Sequence, residues 1–470
     1  MAVTTRRDVI AMAGVGLSGL AAGCSPLPPV LAVPAGPADP VLDDIQRRTF
    51  QYFWDTTNPA NGLARDRYPT PSFASMAAVG FALTAYPIGV HRGFVPRAAA
   101  AQRTLATLRF LANAPQGDAP TGMTGHKGFF YHFVDMARGT RFETTELSTV
   151  DTALLLGGML FAQGYFDRPG EAEIRHLVDT IYARVDWRWS MARPPTVALG
   201  WSPEKGHLPY DWIAYSEAML VYILALGSPT HALGPESWQA WSAGLPKHWG
   251  SEEGQQLVRF APLFGHQYSH IWVDFRGIRD EFMRGKNLDY FENSRRATLA
   301  QHAYALRNPM GWKGYGPRLW GLTACDGPAD VTIKINGRDR TFRTYSARGP
   351  GDFDDGTIAP TAAGGSVPFA PELCIDALKA MRADHGEHLY GQYGFLDSLN
   401  LSVPPSVPLK HGRHVPGRGW YDGDYLGIDQ GPILAMIENH RSGLVWDVMR
   451  ASPHIQRGLR KAGFTGGWLG

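Results

Sequence analysis

The chain has 470 residues, with 45 Lys and Arg against 43 Asp and Glu and a formal net charge of +2, so its charge favours neither nucleic acid nor an anionic membrane surface as a partner. Hydrophobic residues make up 44%, enough for a large core, and the aromatic share of 11% serves a core or a cleft that stacks sugar rings. Three cysteines are too few for a disulfide-stapled scaffold.

Residues 1–24 read as a twin-arginine export signal. Arg6-Arg7 opens a short basic segment, and the apolar run from Ala11 to Ala22, too short to span a bilayer, ends at Gly23-Cys24. Cys24 stands where a lipid-modified cysteine would, so the expectation is an exported, periplasmic protein whose only membrane contact is a lipid on Cys24. Residues 25–40 form a Pro-rich tether, and 41–470 a catalytic domain, expected to be monomeric. Cys325 and Cys374 have no zinc-site spacing, and the sequence does not decide whether they pair.

Apolar residues recur at helical spacing through most of the rest. The predicted helices are Asp43–Trp54, Ser75–Thr84, Pro96–Ala112, Thr149–Gln163, Glu171–Arg184, Trp212–Leu226, Ser237–Lys247, Leu288–Arg307, Pro371–Met381, Gln430–Met449 and Pro453–Ala462. With long connectors and no βαβ rhythm, this count predicts an all-α domain, and a toroid of paired helices suits it. One hairpin interrupts the pattern: Val331–Ile335 and Thr341–Tyr345 alternate on either side of Asn336-Gly337.

Several segments concentrate residues capable of chemistry. Asp135, Glu146 and Asp151 lie before the apolar run Ala153–Phe161, at the positive end of a predicted helix, although N-capping alone would explain them. Glu217 follows Trp212 and Tyr215 and precedes a strongly apolar helix, a setting that raises a carboxyl pKa as a general acid requires. His231 closes that helix. Gly265–Asp280 holds His266, Gln267, His270, Trp272, Asp274 and Arg276, read as hydrogen-bonding groups for sugar hydroxyls. The two histidines are spaced i,i+4 but no HExxH pattern accompanies them, so no metal is assigned. Trp312, Tyr315 and Trp320, in a Gly-rich loop ending at Asp326, are read as aromatic platforms and a polar contact. Asp429 opens the long helix after Trp420-Tyr-Asp-Gly-Asp424, where the charged form is expected. No Rossmann fingerprint or nucleophile elbow occurs, no cofactor is called for, and carboxylate chemistry on a glycosidic bond is the simplest mechanism.

These segments closely resemble the bacterial glycoamylase-like domain family, which overlaps glycoside hydrolase family 144, the endo-β-1,2-glucanases. The resemblance runs from about Leu42 to Leu469. It is carried by Ser148–Leu156, Leu224–His231, His266–His270, Tyr290–Gln301, Gly311–Gly316 and Gly427–Asn439. It implies an (α/α)6 toroid, inverting hydrolysis and Glu217 as general acid, with Asp135 and the Glu146–Asp151 carboxylates in the active-site acidic cluster. The expected substrate is a β-1,2-glucan, cut internally or to disaccharides. The competing readings are another β-glucan or a transglycosylation on the same fold, and a non-catalytic glycan-binding lipoprotein.

Overall fold

The computed structural model describes residues 39–470, so the export signal at 1–24 and the tether at 25–40, save its last two residues, lie outside the described residues. Asp39 caps the first helix through its carboxylate and Pro40 is that helix's first residue, so these two residues belong to the helix.

The helices in chain order are α1 (Pro40–Thr56), α2 (Met76–His91), α3 (Arg97–Asn113), α4 (Asp151–Tyr165), α5 (Ala172–Ala183) and α6 (Met219–Gly227). Next come α7 (Pro235–Ser242), α8 (Leu245–His248), α9 (Phe264–Trp272), α10 (Glu281–Gly285) and α11 (Tyr290–Arg307). The chain closes with α12 (Pro360–Gly364), α13 (Pro371–Leu389), α14 (Gly427–Arg441), α15 (Leu444–Arg450) and α16 (Pro453–Lys461). Small two- and three-stranded sheets join the loops. Helices α2, α4 and α6 are apolar on every side and buried along nearly their whole length, whereas α1 and α5 bury only one face.

Glycine sets how closely the central helices meet. A Cβ on Gly80 would stand 2.2 Å from the Leu154 carbonyl oxygen, and one on Gly158 would stand 2.0 Å from the Gly80 carbonyl oxygen. Helices α2 and α4 therefore cross backbone to backbone, early turn against early turn. Gly427 and Gly431 of α14 meet Ala78 and Phe81 of α2 in the same sense. The three helices thus start at one end of the molecule. Short strands tie the leading loops together there: Arg67-Tyr68 pairs with Tyr425-Leu426, Ala74-Ser75 with Phe133-Val134, and Leu147-Ser148 with Gly200-Trp201.

Four expectations need correction. Ser237–Lys247 divides into α7 and α8 at Ala243-Gly244. Trp212–Leu226 is helical only from Met219, because the earlier part is anchored elsewhere. The Trp212 N–H donates to the Val197 carbonyl, Ala214 takes a left-handed φ of 61°, and the Trp212 indole donates to Thr149 Oγ1. Gln430–Met449 breaks into α14 and α15 at Gly443, whose φ is +73°. Phe264–Trp272, read only as a polar cluster, is helix α9, buried on all sides after its first residue. The hairpin forms as Val331–Ile335 against Arg338–Phe342, with Asn336 and Gly337 both at positive φ, while Thr344 and Tyr345 lie beyond it. Cys325 and Cys374 are buried free thiols.

Candidate active site

The loops at the shared starting end bring six aspartates around one arginine. The Arg67 guanidinium donates to Asp326 Oδ2 at 2.6 Å and Asp66 Oδ2 at 3.2 Å, and lies 3.7 Å from Asp424 Oδ2. Asp326, Asp397 and Asp422 each offer a carboxylate oxygen within 4.8 Å of the other two. The Asp326 N–H donates to Asp397 Oδ2, and Asp397 is hydrogen-bonded to Asp429 in the first turn of α14.

Burial and mutual repulsion favour the protonated form of Asp66, Asp397, Asp422 and Asp429. Asp429 is pushed up to about 7, first by burial and then by the charges of Asp326 and Asp66. Asp397 and Asp422 rise well above the usual carboxylate range for the same reasons, with Asp429 and Asp326 the nearest charges respectively. The helix dipole was expected to keep Asp429 charged. A dipole term of at most about 2 kcal/mol is outweighed by desolvation among like charges. Arg67 would be lowered by burial, but Asp326 and Asp66 hold it firmly protonated. Tyr345, half-buried, feels Asp429, Asp397 and Asp66, and its phenol is pushed well up by burial and these charges.

A second group adjoins the first. His132 Nδ1 lies 3.0 Å from Glu146 Oε1 and its Nε2 lies 3.5 Å from Asp151 Oδ2, which also accepts from Ser148 Oγ at 2.9 Å. Burial alone would lower the His132 pKa, but Asp151 and Glu146 lift it to about 9, so the ring is a cation at neutral pH. Asp66 is close enough to contribute to that rise. Glu217, 4% exposed, immediately precedes α6, and the indole of Trp212, five residues earlier, reaches Thr149, two residues from Asp151. The Glu217 carbonyl accepts from Ser269 Oγ of α9.

Of the sequence-derived residues, Asp326, Asp429, Glu146 and Asp151 thus come together, with Glu217 at the same end. The rest do not join them. Asp135 accepts the N–H groups of Ala137 and Arg138, which hold its carboxyl below the usual range, so it shapes a surface turn. His231 follows the far end of α6 and faces Asp186. Asp274 and Arg276 lie past the far end of α9, where Asp274 binds both Arg276 and Arg450. Trp272 is wholly buried, stacked on Phe81 and donating to Thr84 Oγ1. Trp320 is 0% exposed, and Trp312 packs on Phe342 beneath Arg340. The Trp320 ring is enclosed, while Trp312 lies at the wall of a separate cleft, away from the carboxylates. Tyr315 anchors its loop on Asp354.

His266 commits both ring nitrogens internally, to Tyr215 Oη and the Phe260 carbonyl, and His270 bonds Ser294. Burial takes their pKa values to about 4 and about 3, so both are neutral core groups. Tyr215 stacks on Tyr290, and Gln267 donates to the Ala362 carbonyl and Ser366 Oγ of the α12 segment. The sequence reading missed Asp66, Arg67, His132 and Asp397. Asp66-Arg67, His132 and Asp397 lie on three segments far apart in the chain, and only the packing of helix starts joins them. Asp422 and Asp424 lay inside a segment already singled out as acidic.

A helical body with buried carboxyls of raised pKa gathered at one end has groups suited to acid–base chemistry. The chain belongs to the glycoamylase family: residues 209–453 match the family described as "Putative glucoamylase". A Bacteroides uniformis protein of that same description is 32% identical, with a TM-score of 0.78 over 92% of this chain and 98% of its own. An endo-β-1,2-glucanase from Chitinophaga pinensis, solved with sophorotriose and glucose, is 28% identical, with a TM-score of 0.76 over 91% of this chain and 99% of its own. An exo β-1,2-glucooligosaccharide sophorohydrolase of Parabacteroides distasonis is 29% identical over 459 residues, 90% of this chain, and this chain spans 57% of that relative's length.

Proposed function

We propose that this protein hydrolyses β-1,2-linked glucan with inversion, using Glu217 as general acid and the Asp397–Asp429 pair as the base. The supporting observation is the contrast between the buried Glu217 before α6 and an acidic cluster in which Asp429 is pushed up to about 7. The names of the Chitinophaga and Parabacteroides relatives supply the linkage. In the reaction, Glu217 gives its proton to the glycosidic oxygen as the bond to the anomeric carbon breaks. A water molecule attacks that carbon from the other face and loses its proton to the Asp397–Asp429 pair. A base with a pKa near 7 is matched to neutral operation. Arg67 and His132 offset the charge of the remaining carboxylates.

The order of helices supports an (α/α)6 toroid, with α2, α4, α6, α9, α12 and α14 as the inner ring and α1, α3, α5, α7, α11 and α13 outside. Sugar-stacking surfaces differ from those first expected. Tyr210 is 65% exposed in the loop leading to Glu217, and half-buried Trp201 stacks on His126 and pairs with Leu147, the neighbour of Glu146. Export through residues 1–24, lipidation of Cys24 and a monomeric state belong to the same proposal. A reducing-sugar assay on β-1,2-, β-1,3-, β-1,6- and α-1,4-glucans tests the substrate. Disaccharide as sole product would mark exo action, and a ladder endo action. Activity on an α-1,4-glucan with none on β-1,2-glucan would defeat the reading.

A further inference from the structure

A cleft of about 1100 Å³ opens between the 331–342 hairpin and the strand Gly419–Tyr421. Its charge is opposite in sign to that of the acidic cluster. Lys313, Arg338, Arg340 and Arg418 line it, and no Asp or Glu does. A chain with 45 basic and 43 acidic residues has no such bias overall, so the segregation is local. Strand alternation produces it. Arg340 and Phe342 are buried toward the body, which puts Arg338 on the same face, while Asp339 and Thr341 face outward and Asp339 pairs with Lys334.

Arg340 carries the argument furthest. It is 9% exposed and lies over the Trp312 ring at 4.0 Å. Its Nη2 donates to the Met310 carbonyl, Nη1 has no acceptor among the described residues, and no carboxylate pairs with it. A buried guanidinium without a counter-ion is costly to the folded protein, and an oxyanion entering the cleft would supply the missing acceptor. We propose that this cleft is a binding site for an oxyanion-bearing ligand, held by Arg340 and Arg338 with Lys313 and Arg418 at the rim. The fork of an arginine suits a phosphate, sulfate or carboxylate group. Such a group can be free or carried as a substituent on a glycan, and the second source rests on the proposed glucan hydrolysis. The cleft is within reach of that site, because its wall residue Ser402 is five residues from Asp397, at most about 18 Å along the chain, and Tyr421 precedes Asp422.

The test is calorimetric titration of the full chain with pyrophosphate, a sulfated β-1,2-glucooligosaccharide and its neutral parent. It is repeated with a double variant, Lys313→Gln with Arg338→Gln, whose side chains are exposed and so leave folding intact. Anion binding should weaken with added salt and fall about tenfold or more in the double variant, as loss of charge-assisted bonds predicts. Neutral-glucan hydrolysis should be unchanged. Tighter binding of the sulfated sugar than of pyrophosphate identifies a substituted glycan, and binding of pyrophosphate alone a free anion. No anion binding, or equal binding by wild type and variant, overturns the proposal, as does lost neutral-glucan hydrolysis in the variant. Absence of glucan hydrolysis in the wild type would defeat the functional reading alone, and the pyrophosphate titration would still decide the cleft.

Discussion

Replacing Asp429 with Asn separates the chemical use of this carboxyl from its cost to the fold. An unfolded chain titrates the group at 3.8, whereas the folded protein titrates it at about 7. Between those values the native state holds a proton that the unfolded state has released, so stability falls as pH rises and the loss is complete above about 7. A rise of about three pH units, at about 1.4 kcal/mol each, gives an upper bound of about 4 kcal/mol. The measured loss should be smaller, because Asp397 shares the proton. Asn keeps the hydrogen bond to Asp397 but never ionises. Asp429→Asn should therefore be more stable than wild type at pH 8 and lose more than half of that advantage at pH 5, about one pH unit above the unfolded value, read by urea denaturation at both pH values. Its kcat should fall by about a hundredfold or more if the pair accepts the proton of water. Equal stability differences at the two pH values, or a variant less stable at pH 8, would refute the reasoning.

Glu217→Gln retains shape while removing the transferable proton, and its kcat should drop by at least about a hundredfold with an unchanged melting profile; near wild-type turnover would sink the general-acid assignment. Trp320→Ala should destabilise by about 3–5 kcal/mol through cavity formation, with KM unaffected in whatever enzyme remains folded. Raised KM with undiminished stability would restore this ring to the substrate. Arg67→Met leaves Asp66, Asp326 and Asp424 without their shared cation, and about 3 kcal/mol of stability should be lost at pH 7, less at pH 4 where the carboxyls protonate. A pH-independent loss would show that the side chain acts through packing. A reporter fused to residues 1–30 should leave the cytoplasm, and Arg6→Lys with Arg7→Lys should stop it; export without the pair would exclude the twin-arginine route.

Much of this protein was legible in the sequence because it depends on local periodicity. Most predicted helices formed where an apolar stripe or run extended over several turns, and Asn336-Gly337 specified its hairpin through backbone preference. Trp212–Leu226, however, begins only at Met219, and Ser237–Lys247 and Gln430–Met449 each divide in two. Glu146, Asp151 and Asp429 were found because carboxylates at helix starts leave a local signature, and Asp326 because it closes a Gly-rich loop. What the sequence could not say is which helix starts converge. That depends on Gly80 and Gly158 allowing α2 and α4 to touch, and on strands of two or three residues joining Arg67 to Leu426 and Ser148 to Gly200. Only this convergence gathers Asp66, Arg67, His132 and Asp397, and it raises Asp429 against the helix dipole, because burial among like charges outweighs a single dipole. The tertiary structure also decided the fate of the aromatic residues. Trp320 was read as a sugar platform and Trp272 as a polar contact, but a ring reaches a ligand only if part of it is left uncovered, and long-range packing encloses both.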